Sequence, residues 1–258
     1  MGNKNLSFKL FLKNFFTEVV SIDNRIINTL KILISKPGYL TYLHFNSSEE
    51  KYIPPIKLYF IINFVFFLVI PILTTSQFQI FNFNLESLSG RNQIYQNIVK
   101  EEIQASNVTP EIYTERFNTH IKYNQPALIF LIVPFFALLL KIIFLTKKRY
   151  YLEHLYFALD YLSFFLISLT LATILYRLLT FGLSFLSGSQ GVVAAVIPIV
   201  LLIGLSIYLY VSLKTFYKNT TLSNIIVYPF ILVGFFISIG VYVQFLFFYT
   251  VLVLKWSY

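Results

Sequence analysis

The sequence predicts an all-α integral membrane protein: five transmembrane helices preceded by amphipathic helices, with a polar insert between spans one and two. Three observations carry that prediction. Of 258 residues, 57% are hydrophobic and only 12% are charged, about half the charged share of an ordinary soluble domain. The charges gather between long apolar runs, which a codon bias toward Ile, Phe, Tyr, Asn and Lys would not achieve. Five of those runs reach about 18 to 25 residues, enough to cross a hydrocarbon core about 30 Å thick.

The first run covers Ile56 to Leu73, entered through Pro54-Pro55 and closed near Pro71. The second extends from Ala127 to Thr146, the third from Leu155 to Leu178, and the fourth from Val192 to Leu213 with Pro198 inside it. The last, Ile225 to Leu254, is overlong, so it has to tilt or project from the membrane.

Residues 1–54 form a lead-in of different character. Phe8, Leu12, Phe15, Val19, Ile22, Ile26, Leu30 and Leu33 recur at helical spacing, interleaved with Lys9, Lys13, Glu18, Asp23, Arg25 and Lys31. Ser7 supplies a cap, and Lys36-Pro37-Gly38 stops the pattern. A signal peptide would show a short uninterrupted apolar stretch and a small-residue cleavage site, and the lead-in has neither. It is expected to form one or two amphipathic helices, either lying on the membrane surface or packed under the bundle.

Residues 55–258 are the transmembrane bundle, interrupted by a polar insert at 74–125. Its stretch from Arg91 to His120 has helical character, with Ile94, Ile98, Ile103 and Ile112 set among acids and amides. Asn107-Val108-Thr109 matches a glycosylation sequon, a triplet that arises often by chance.

The positions of Lys and Arg give an orientation. The formal charge is +9, and its placement beside apolar spans marks membrane anchoring and not nucleic-acid binding. Lys4, Lys9, Lys13, Arg25, Lys31, Lys36 and Lys51 precede the first span. Lys147, Lys148 and Arg149 follow the second, and Lys214 and Lys218 follow the fourth. With five spans these groups share one side, opposite the acidic insert and the uncharged link 181–191. The expectation is a bacterial inner-membrane protein with its N-terminus cytoplasmic and its C-terminus extracytoplasmic.

Several chemistries lack their residues. There is no cysteine, which removes disulfides, thiolate catalysis, Cys-based zinc sites and iron–sulfur clusters. Of three histidines, His44, His120 and His154, none stands in a His-x-x-x-His or Glu-x-x-His spacing, so no metal site is expected. No Gly-x-Ser-x-Gly elbow and no phosphate-binding glycine loop appears. No catalytic residue and no cofactor is assigned.

Charged side chains at membrane depth are costly and mark candidate sites. Lys141 in the second span and Asp160 in the third lie at similar distances from the turn Lys147–Tyr151, so antiparallel packing would bring them together as an ion pair. Glu153, Phe157 and Asp160 share a helix face at i, i+4 and i+7, whereas His154 points about a quarter-turn away. Lys141, Glu153, His154 and Asp160 form the candidate intramembrane polar site. The face suits a cation or a proton relay. It suits equally a structural pair, with Lys141 reaching toward the headgroups and Glu153 in water.

Three stretches carry a family resemblance: Thr29-Leu-Lys-Ile-Leu-Ile-Ser-Lys-Pro37-Gly38, Lys51-Tyr-Ile-Pro54-Pro55-Ile-Lys-Leu-Tyr59, and Lys148-Arg-Tyr-Tyr-Leu-Glu153-His154-Leu-Tyr-Phe157-Ala-Leu-Asp160. Together they resemble an uncharacterised bacterial inner-membrane family, best known from Bacteroidetes and classed as a domain of unknown function. Its members often begin with a Cys-x-x-Cys zinc ribbon, followed by a helix ending in Pro-Gly and a Pro-marked first span. A later Glu-His-Leu-x-Phe-Ala-Leu segment opens another span. This sequence lacks the ribbon, and Asp160 stands where the resemblance implies a second histidine. A looser similarity, an amphipathic region before five spans, is to Yip1-type proteins, and it concerns the fold alone.

The expected role is a non-enzymatic scaffold, assembly or accessory component, with the lipid bilayer and either a membrane-protein partner or a second copy as partners. The alternative is a small transporter or ion pathway using Asp160 and Glu153. Intramembrane lipid chemistry is a third class, and it would require polar groups converging on His154.

Overall fold

A computed structural model describes residues 24–46, 51–73, 83–90, 92–106, 108–182 and 189–256. The lead-in before residue 24, including the Ser7 cap, and Arg91 and Asn107 of the insert lie outside the described residues. Those described are helical, with no strand among them. Five helices are long and apolar enough to cross a membrane: Pro55–Leu73, Pro110–Ile143, Tyr151–Gly182, Gly191–Tyr217 and Thr221–Lys255. Their outward faces expose large apolar side chains, such as Ile199, Leu202 and Ile203, and Phe230, Val233 and Ile237. In water such a belt would be unfavourable, and in lipid it is the expected surface.

The described residues of the lead-in form two helices, α1 (Asn24–Ser35) and α2 (Tyr39–Asn46). They are joined at Lys36-Pro37-Gly38, where Gly38 adopts φ 74°, a left-handed conformation that glycine takes without a Cβ clash. A Cβ at Gly38 would also overlap the Ser212 backbone, so the turn lies directly on the bundle. Both helices rest against the bundle. Thr29, Leu33, Leu40 and Thr41 are almost wholly buried, and α2 contacts both the third and the fourth spans.

The first span is α3 (Pro55–Leu73). The insert follows with α4 (Leu85–Ser89) and α5 (Gln93–Ser106), then α6 (Pro110–Leu128), which passes through a 3₁₀ turn at Ile129–Leu131 into α7 (Ile132–Ile143). The second span therefore begins inside the insert, earlier than the sequence pattern places it. Pro126 and Pro134 explain the irregularity, because a proline donates no N–H to the preceding turn. Asn63 on α3 donates to the Pro126 carbonyl at 2.8 Å.

The remaining spans are α8 (Tyr151–Gly182), α9 (Ser189–Tyr217) and α10 (Thr221–Lys255). Helix α8 is central, packing on α3, α7 and α9. With 35 residues, α10 is about 52 Å long at 1.5 Å per residue. Its last turns support the insert. Tyr95 stacks on Phe247 at 4.2 Å, Phe117 lies 5.8 Å from the same ring, and Lys255 meets Glu102 at 3.3 Å. The excess length of this span serves the insert as a strut.

Candidate functional site

The sequence-predicted polar residues all lie at the end of the bundle where the lead-in docks, but they are not partnered as the spacing suggests. Lys141 and Asp160 form no ion pair. The Lys141 ammonium donates to the Arg149 carbonyl at 2.5 Å, following the backbone toward the turn. Asp160 lies nine positions beyond Tyr151, and its Oδ2 accepts a hydrogen bond from the Thr41 hydroxyl at 2.6 Å. Equal depth along two helices fixes height and not azimuth, and Asp160 faces the lead-in instead of α7.

Asp160 is 4% exposed, and its Oδ1 has no hydrogen-bond partner. Ser163 is also buried with an unpartnered hydroxyl. Tyr208 on α9 donates to the Leu33 carbonyl at 2.6 Å, satisfying an acceptor in the last turn of α1 that the helix leaves open. Thr29 completes the dock from the other side. Its hydroxyl oxygen accepts the Ile53 N–H at 3.0 Å while its O–H donates to the Arg25 carbonyl at 2.6 Å. Three long-range hydrogen bonds thus fasten the lead-in to α8, to α9 and to the approach to α3.

Two turns from Asp160 along α8, Glu153 forms an ion pair with Arg149 and accepts the Tyr150 N–H at 3.0 Å. A carboxylate in the first turn of α8 complements the positive end of that helix. Arg149 also donates to the Phe216 carbonyl at 2.8 Å, and its guanidinium sits 4.3 Å from the Phe216 ring centre. It therefore joins the start of α8 to the end of α9, where open carbonyls favour a cation. His154 is fully buried, with Nδ1 2.7 Å from the Tyr217 hydroxyl and Nε2 unpartnered. The Tyr217 ring stacks on Phe144 at 3.8 Å and lies 5.6 Å from the His154 ring. His154 has neither a carboxylate partner nor a second ligand-type residue. Among the described residues no group of three His, Cys, Asp or Glu side chains is placed to hold a metal.

Outside the spans, burial lowers the His44 pKa from 6.5 to about 4. Its ring meets Tyr156 edge-on at 6.0 Å. Thr41, His44, Tyr208 and Tyr217 are the participants that spacing does not reveal. Thr41 and His44 sit in a short helix of weak pattern, and the two tyrosines resemble interface aromatics in a tyrosine-rich chain.

A cavity of about 410 Å³ lies among α8, α9 and α10, walled by Phe165, Leu169, Pro198, Leu205 and Phe235, with Tyr161 and Ser206 at its margin. Its lining is almost wholly apolar.

Residues 23–67 match a family described as a protein of unknown function (DUF3667). The matched segment runs from the start of α1 through the Pro-Gly turn and α2 into α3. It therefore contains the residues that build the lead-in dock on one side, Thr29, Leu33, Gly38, Thr41 and Ile53, while their partners on α8 and α9 lie outside it. No curated protein and no solved structure matches the chain.

Proposed function

We propose that this chain is a non-enzymatic component of the bacterial inner membrane, a scaffold, assembly or accessory subunit working with a membrane-protein partner or a second copy. In this reading the basic lead-in end is cytoplasmic and the C-terminus extracytoplasmic. The observation that supports it is the use made of the ionisable groups. Asp160 binds Thr41, Lys141 binds the Arg149 carbonyl, and Arg149 bridges Glu153 and the Phe216 carbonyl. Each ties one element to the next, which is how a rigid platform tolerates polar groups at membrane depth.

A transporter through Asp160 and Glu153 needs a continuous polar path. Glu153 is occupied by Arg149, and the cavity among the spans is walled by carbon. The test has two arms. Extracted from native membranes in polymer discs, the chain is expected in a particle heavier than one copy, with a second component or copy at fixed stoichiometry. Reconstituted into liposomes under proton, Na⁺ and K⁺ gradients, it is expected to pass no more ions than empty vesicles. A flux that Asp160→Asn abolishes overturns this reading in favour of an ion pathway.

A further inference from the structure

We infer that a groove along α1 seats the phosphate-bearing headgroup of an anionic membrane lipid. The groove has a volume of about 600 Å³ and lies between α1 and the segment leading into α3. Lys31 and Lys36 line it from one side and Lys51 from the other, and Arg25, Asn28 and Tyr52 are also in its lining. Cations from two elements converging on one concavity repel one another, and an anion placed there relieves that repulsion. At this end of the bundle, Glu153 is engaged by Arg149 and Asp160 by Thr41. Asp23, Glu49 and Glu50 lie outside the described residues and stay unchanged in the test below.

The surroundings favour a lipid over a dissolved phosphate. Ile27, Lys31 and Ile34 share one face of α1 at i, i+4 and i+7, and the two isoleucines are 53% and 51% exposed. Exposed apolar residues flanking a lysine are the mark of a helix seated at the headgroup boundary. Four residues past Tyr52, α3 presents Ile56, Phe60 and Phe64 at i, i+4 and i+8, each about half exposed. That stripe gives acyl chains a track beginning where the basic groove ends. A headgroup at Lys31, Lys36 and Lys51 with its tails along α3 uses both features, and a free phosphate uses only the first.

The test is native mass spectrometry of the full-length protein in detergent, titrated with dioleoyl phosphatidylglycerol, dioleoyl phosphatidylcholine or inorganic phosphate. One phosphatidylglycerol is expected to be retained per chain and no phosphatidylcholine. The triple variant Lys31→Gln/Lys36→Gln/Lys51→Gln should weaken that binding on the order of 100-fold, given about tenfold or less per removed cation. The control Lys147→Gln/Lys148→Gln/Lys214→Gln removes equal charge from the same end and should leave binding intact, with thermal melting in lipid-free detergent verifying that both variants are folded. Equal weakening in the two triples, or equal retention of phosphatidylcholine, overturns the proposal and leaves diffuse attraction. Displacement of phosphatidylglycerol by inorganic phosphate at comparable concentration also overturns it, assigning the groove to a free anion.

Discussion

The two ends of this bundle are held by different physics. At the lead-in end, polar side chains join elements distant in sequence: Asp160 to Thr41, Tyr208 to Leu33, Arg149 to Phe216. At the insert end ring contacts predominate, with Phe247 between Tyr95 and Phe117, beside the Leu85 N–H donating to Asn118 at 2.8 Å and a peripheral Lys255–Glu102 pair. Hydrogen bonds fix angle and register, whereas apolar burial supplies free energy without direction. The lead-in dock is therefore the more specific end, and the insert the end whose loss in a single substitution is larger.

The largest effect tests the insert. Phe247 is fully buried, and truncating such a ring costs about 3–5 kcal/mol. Phe247→Ala is expected to expose α5 and α6 to hydrogen exchange while α1 and α2 keep their protection. Loss of protection at both ends would show that the two halves unfold together, which removes the contrast.

Next is Gly38→Ala. It places a Cβ into the Ser212 backbone at a position with φ 74°. Left-handed strain and overpacking together amount to about 3 kcal/mol. Limited proteolysis should then cut within the lead-in while the five spans stay protected. A variant as resistant as the parent would mean that the turn is not seated on α9.

A double-mutant cycle separates the actual partner of Asp160 from the expected one. Thr41→Val with Asp160→Asn should show a coupling of about 1–2 kcal/mol in detergent unfolding. Lys141→Ala with Asp160→Asn should be additive within about 0.5 kcal/mol. Reversal of that order would restore the ion pair that helix spacing suggests.

That cycle also marks how far the sequence reaches. Span number and order follow from length and hydropathy, because both are local properties and the bilayer fixes the required length. The stop at Pro37-Gly38 is likewise local. The start of the second span was less legible, since α6 remains helical through polar residues that hydropathy assigns to the insert. The bonds of the candidate site were not legible. Lys141, Glu153, His154 and Asp160 all lie at one end, yet their partners include Thr41, 119 residues away from Asp160, and Tyr217, 63 away from His154. Partners at that separation depend on helix azimuth, which packing decides and spacing does not.

The smallest effect vanishes at neutral pH and again distinguishes the two ends. His44 is buried in the dock with its pKa lowered from 6.5 to about 4, the cause being desolvation of its charged form. Between those values the unfolded lead-in binds a proton that the docked one refuses, so stability falls as pH drops from about 6.5 toward 4 and is unaffected above that window. Hydrogen exchange of α1 and α2 should therefore accelerate, after correction for intrinsic rates, on going from pH 7 to pH 5. His44→Phe keeps an aromatic ring beside Tyr156 but has no proton to bind, so it should flatten this dependence. The residues around Phe247 provide the internal reference, because the rings that meet there are Tyr95, Phe117 and Phe248. If acid loosens α5 as much as α2 in the parent protein and in His44→Phe alike, the pH response belongs to the bundle as a whole. The distinction between a polar dock and an apolar strut would then have to rest on the substitutions above.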